Sequence, residues 1–168
     1  MIVTEERMSF RKQLEAWHDL VVRERQLQQT ISRQEHRLAE LQDRLSPSGI
    51  LGAFRNTPMV NADIRPQGGH GDKVFMMIAE TDEKMATLQL SMAFTRAQLQ
   101  DVQDAIDIIE GELQTFSERH RRAAELMFRD RETWYVACEE LRVEKSRLYE
   151  LLQEIADGVD RWLMWRVE

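Results

Sequence analysis

The chain has 168 residues, 42% of them hydrophobic, with 30 acidic and 23 Lys or Arg side chains and a formal net charge of −7. That is too apolar and too weakly charged for a disordered acidic tail, and it is long enough for a packed core of ordinary size. The single cysteine, Cys138, excludes an internal disulfide framework and a Cys-rich zinc ribbon, which makes a reducing compartment the expectation.

The net negative charge argues against a protein that coats nucleic acid through bulk charge, while leaving room for one small reading head. Met1–Arg7 has no basic lead running into an apolar stretch, and nowhere do about 18 apolar residues follow one another. The expectation is a chain that is neither exported nor membrane-spanning.

Residues 1–45 read as a first long helix. Thr4 is placed to cap it, with Glu5 and Glu6 in its first turn, and Phe10, Leu14, Trp17, Val21, Ile31, Leu38 and Leu45 follow a stride of three and four. Glu24, Gln28, Glu35 and Gln42 share that stripe, so one partner is expected rather than burial all round. Residues 46–71 hold all three prolines and five of the seven glycines and read as a Gly/Pro-rich loop.

Residues 72–117 read as a second long helix capped by Asp72. Its stripe is Val74, Ile78, Thr81, Met85, Leu88, Met92, Thr95, Leu99, Val102, Ile106, Ile109, Leu113 and Phe116, interrupted only by two threonines. An apolar position every 3.5 residues keeps facing a partner only if the helices supercoil, which predicts a coiled coil. Two helices of similar length predict an antiparallel hairpin, with Gly111 as a place for a bend. The acidic excess lies here, with three bases against nine acids, whereas residues 118–168 hold ten bases and twelve acids.

From Glu118 the long period gives way to short ones. Ala123, Ala124, Met127 and Phe128 come first, then Trp134, Ala137, Cys138 and Leu141, a turn at Arg142–Val143, and Leu148, Leu151, Leu152, Ile155, Val159 and Trp162 on one further helical face. A short helix, a turn and a longer helix predict a helix-turn-helix head over residues 118–168. The fold class is therefore all-α, a long antiparallel coiled-coil hairpin with a C-terminal helix-turn-helix domain. A second hairpin packed alongside would hide the remaining Met and Leu surface, so a homodimer is expected.

Thr133-Trp134 leading to Leu141, followed by Glu144-Lys145-Ser146-Arg147-Leu148-Tyr149, resembles the sigma region-four-like head of phage late-gene transcriptional regulators of the ArpU and RinA type. The resemblance extends upstream to Gly71-Asp72-Lys73-Val74, where such proteins pass from a Gly-rich loop into a coiled coil, and covers about residues 64–156. Three positions depart from the pattern: Arg142 stands where the turn has Gly, Glu144 where a Ser would cap the recognition helix, and Met127-Phe128 where an Arg-Tyr pair ends the preceding helix. The resemblance implies regulation of a late promoter or operator in phage or prophage, double-stranded DNA as partner, contact with bacterial RNA polymerase, and the cytoplasm of the bacterial host.

On that reading Leu148, Leu151, Leu152 and Ile155 form the buried face of the recognition helix, and Ser146, Tyr149, Glu150 and Gln153 point away from it. Lys145 and Arg147 stand at the groove-entering end to read guanine or phosphate, and Glu150 could accept from a cytosine amino group. Arg121 and Arg122, in the basic run Arg119–Arg122, are placed for backbone phosphates. The reading requires Lys145 and Arg147 to stay clear of other segments and not to be neutralised by Glu144 and Glu154. Trp162, Met164 and Trp165 are expected to close the core of the head.

Other chemistry finds little support. Gly68-Gly69-His70-Gly71-Asp72-Lys73 lacks the spacing and terminal hydroxyl of a P-loop, the four histidines are scattered, and Cys138 sits where a head helix needs a small packing residue, so neither enzyme activity, nor a metal, nor a cofactor is expected. The rival to DNA reading is a phage helical protein-interaction module, such as a host-nuclease inhibitor or a packaging accessory, which the acidic second helix favours.

Overall fold

The computed structural model describes residues 10–55 and 70–165, without the side chains of residues 53–54, 70–71 and 159–165. The described residues are all-α with no strand: α1 (Phe10–Arg44), α2 (Pro47–Arg55), α3 (His70–Leu113), α4 (Glu118–Ala124) running directly into a π turn at Glu125–Arg129, α5 (Trp134–Leu141) and α6 (Lys145–Trp165). No helix among them is long and apolar enough to cross a membrane. Thr4, Glu5 and Glu6 lie outside the described residues, as do the side chains of Val159, Trp162, Met164 and Trp165.

The chain divides into two compact units, one of Leu27–Leu99 and one combining Met1–Gln26 with Gln100–Glu168. The division cuts both long helices partway along, whereas the sequence reading divides the chain at their ends.

In the unit Leu27–Leu99 the two long helices run antiparallel, as a helical hairpin requires. Arg96 Nη2 donates to Glu35 Oε1 at 2.9 Å and Gln34 Nε2 to Ser91 Oγ at 3.0 Å. Leu27, Leu41 and Met92 are buried, and so are Thr81 and Thr95, the two polar positions of the α3 stripe. Their hydroxyls donate to the carbonyls of Met77 at 2.7 Å and Ser91 at 2.9 Å, one helical turn back, so each polar group is satisfied without leaving the seam.

The expected Gly/Pro-rich loop is helical over Pro47–Arg55, and residues 56–69 lie outside the described residues. Ser46 caps this helix, its Oγ accepting from the Gly49 amide at 3.1 Å, and Pro47 occupies the first helical position, where a missing N–H costs nothing. The corner is tight enough to require glycine: a Cβ on Gly49 would stand 2.7 Å from the Arg44 carbonyl oxygen and closer still to that of Asp43. α3 begins at His70, so Asp72 sits in its first turn rather than at its cap, where its charge still favours the helix N-terminus. α3 then passes through Gly111 and ends at Leu113.

In the other unit, Phe10, Leu14 and Trp17 of α1 pack with Ile106, Ile109 and Leu113 of α3, Ala124 of α4 and Ile155 of α6. The π turn is tied to α1: His18 Nδ1 lies 2.7 Å from the carbonyl oxygen of Arg129, to which it can only donate, and the Arg129 guanidinium lies 5.7 Å from the centre of the Trp17 ring. A second cluster, Ala123, Leu126, Ala137, Leu148 and Leu151, joins α4, the π turn, α5 and α6 into the head.

Candidate functional site

Thr133 starts α5, its hydroxyl accepting from the Val136 amide at 3.4 Å. α5 buries Ala137 completely and ends at Arg142, which takes the left-handed conformation (φ 53°, ψ 50°). That conformation favours glycine, since a Cβ opposes positive φ. The chain then crosses Val143 and Glu144 and enters α6 at Lys145.

The inward side of α6 carries Leu148, Leu151 and Ile155, each at most 1% exposed; the two leucines pack against Ala123 and Ala137, whose small side chains let the helices approach closely, and Ile155 packs in the cluster with Ala124. The residues assigned to the outward side are all exposed: Lys145, Ser146, Arg147, Tyr149 and Glu150.

Lys145 is uncovered, with its ammonium 4.6 Å from the centre of the Trp134 ring and 6.0 Å from that of Tyr149. The aromatic faces hold the cation in place without cancelling its charge. Arg147 is held differently. One of its Nη atoms donates to Glu150 Oε2 and to Glu154 Oε1, both at 2.9 Å. Glu150 first and Glu154 second push the guanidinium further above its ordinary range. Glu154 is itself held below the usual carboxylate range, by His120 first and Arg147 second, with His120 Nε2 2.6 Å away. Arg147 is therefore neutralised by Glu150 and Glu154 rather than by Glu144, whereas Lys145 stays uncovered.

The basic run at the start of α4 does not form one patch. Arg119 donates to the Leu141 carbonyl at 3.1 Å, and His120 bridges Ser117 and Glu154. Arg122 is clamped by Glu125 at 2.9 Å and Glu140 at 2.6 Å, which raise its pKa. Arg121 is half-buried. Its Nε has no hydrogen-bond partner among the described residues, and it lines a cavity of about 190 Å³ with Trp17, Glu110, Glu125 and Arg129.

Trp134 reads in sequence as part of the head's apolar face, yet it is 43% exposed and forms an open aromatic group with Tyr135 and Tyr149, themselves 64% and 49% exposed. The available signal was its place beside Thr133, since the first residue of a capped helix has no preceding turn to cover it.

No group of three or more His, Cys, Asp or Glu side chains among the described residues could hold a metal ion. No family model, curated protein or solved structure matches the chain.

Proposed function

We propose that the chain is a DNA-binding transcription regulator of phage or prophage, acting as a dimer in the host cytoplasm, with α5, the turn at Arg142–Glu144 and α6 as a helix-turn-helix head behind a coiled-coil hairpin. The observation that carries this reading is the division of α6 at its first turns. Leu148 and Leu151 are sealed inside the head, while Lys145, Ser146, Tyr149 and Glu150 stand exposed together at its N-terminal end, the part of such a helix that enters the major groove.

Lys145 offers an uncancelled cation, and Tyr149 and Ser146 offer hydroxyls for phosphate or base edges. Glu150 and Glu154 engage Arg147, so in the parent the cationic contact to DNA rests on Lys145, and Arg147 joins it only once those carboxylates are removed. The resemblance to late-gene regulators supports the same reading and adds bacterial RNA polymerase as a second partner.

A specific observation favours a second reading. The carboxylate pair on Arg147 and the exposed Trp134, Tyr135 and Tyr149 suit a protein-binding surface, where Trp and Tyr anchor contacts. Binding to DNA flanking the gene, titrated against salt, separates the two. The DNA reading expects binding that weakens steeply with salt, and a salt slope about one unit shallower after Lys145→Ala. No binding at low salt would leave the interaction module.

A further inference from the structure

α3 carries a second apolar stripe, on the side away from its seam with α1. Phe75, Met76, Ala79, Glu83, Ala86, Leu90, Ala93, Phe94 and Ala97 follow one another at intervals of about one turn and lie within about 100° of each other around the helix. All are exposed, and only Glu83 is charged. Phe75 is 72%, Met76 62%, Leu90 75% and Phe94 67% exposed, while Thr81, Met92 and Thr95 on the opposite side are buried. Asp72 precedes the stripe, and Asp101 and Asp104 follow it in the same register. A heptad-like run of this kind stays facing a neighbour only in a helix pair.

We infer that this stripe, over Phe75–Ala97, is the contact through which two copies of the chain dimerise, with their α3 helices antiparallel about Ala86. The inference deepens the dimer in the proposed function and does not depend on whether the head reads DNA.

The residue sizes match a second copy of the same helix. Aligned antiparallel about Ala86, Phe75 falls opposite Ala97, Ala79 opposite Ala93 and Ala86 opposite its own mate, while Met76 and Phe94 stand one residue off Ala97 and Ala79, so the large side chains lie beside the gaps left by small ones. Glu83 falls one residue off Leu90, near enough to the edge for its carboxylate to reach water.

Charge chooses the orientation. Between residues 72 and 100 the chain has Lys73, Lys84 and Arg96 against Asp72, Glu80, Asp82 and Glu83, nearly a balance. The continuation of α3 holds Asp101, Asp104, Asp107, Glu110 and Glu112 with no base among them. A parallel pair would lay the two acidic runs side by side, whereas an antiparallel pair carries them to opposite ends. The area is sufficient: the four large side chains alone expose about 500 Å² per copy, and two such faces with their alanines reach on the order of 1,000 Å² or more, the range of a specific interface.

Light scattering on the full chain should give twice the 19.9 kDa chain mass, and Leu90→Glu with Phe94→Glu should give the single-chain mass with an unchanged helical circular dichroism spectrum. Glu83→Leu should tighten the dimer. In a Cys138→Ser background, Ala86→Cys should cross-link to its mate on mild oxidation, while Ala79→Cys and Ala97→Cys, each tested alone, should not. A parent chain that stays monomeric, or a dimer that survives the two glutamates, overturns the surface. Efficient self-cross-linking at residues 79 and 97 overturns the antiparallel register. None of these readouts involves DNA, so failure of the head to bind DNA would leave the dimer result standing.

Discussion

Replacing Glu150 and Glu154 together by Gln releases Arg147 from both carboxylates, which now sit 2.9 Å from one of its nitrogens. The substitutions keep the shape of α6, and both side chains are exposed, so the fold should persist with only the small loss of stability from Glu154's ion pairs. The formal net charge of −7 becomes less negative by two, and a guanidinium on the outward side becomes available to phosphate. One additional phosphate contact steepens the plot of log affinity against log salt by about 0.9, so raising salt from about 50 to about 200 mM should cost the variant roughly 3.5-fold more affinity than the parent.

The assay is fluorescence anisotropy with a labelled duplex from the gene's flanking region, at several salt concentrations. Adding Arg147→Ala to the double variant should return the slope to the parent value. An unchanged slope in the double variant, or a gain that survives Arg147→Ala, would refute the assignment of Arg147 to DNA and shift the weight to the protein-binding reading.

Leu148→Ala should destabilise the head by about 4 kcal/mol, the upper part of the range for buried leucines, because the side chain is 0% exposed and its neighbours Ala123 and Ala137 cannot swell to fill the gap; urea unfolding measures it. Arg142→Gly should raise stability by about 1 kcal/mol, since left-handed backbone costs an L-residue roughly 1–2 kcal/mol and the extra freedom of glycine in the unfolded chain returns part of that; a lower melting temperature would contradict it. Acid should weaken the fold. Asp130, held down by Arg129, and Glu154, held down by His120 and Arg147, both have lowered pKa values in the folded chain. Their stabilising contribution is complete above the ordinary carboxylate range of about 4 and is lost as pH falls through their folded values, so thermal melting between about pH 6 and pH 2 should show a shallower acid loss in Asp130→Asn than in the parent.

Sequence periodicity was enough for the long helices, because an apolar position every three or four residues has no other economical use. It tolerated Thr81 and Thr95 for a reason seen only in three dimensions, the return of their hydroxyls to the backbone of the preceding turn. It does not reveal α2, because proline and glycine are breakers within a helix, whereas Ser46-Pro47 is a helix start. It missed the outer stripe of α3, because Ala79, Ala86, Ala93 and Ala97 give little signal beside the larger residues of the inner seam. At the head, the inward leucines were legible from spacing alone. The fate of Arg147 was not, although Glu150 and Glu154 stand three and seven residues after it, because an acid on a recognition helix can serve a base or a neighbouring cation and only side-chain geometry distinguishes them.

Glu154 is shared. Through His120 it is joined to Ser117, where the chain leaves α3 and begins α4, and through Arg147 to the outward surface of α6. A substitution at either claimant alters what the carboxylate can give to the other. The head therefore has a short polar relay between its attachment and its exposed tip, and strain at the junction would be registered there as a change in how firmly Arg147 is retained.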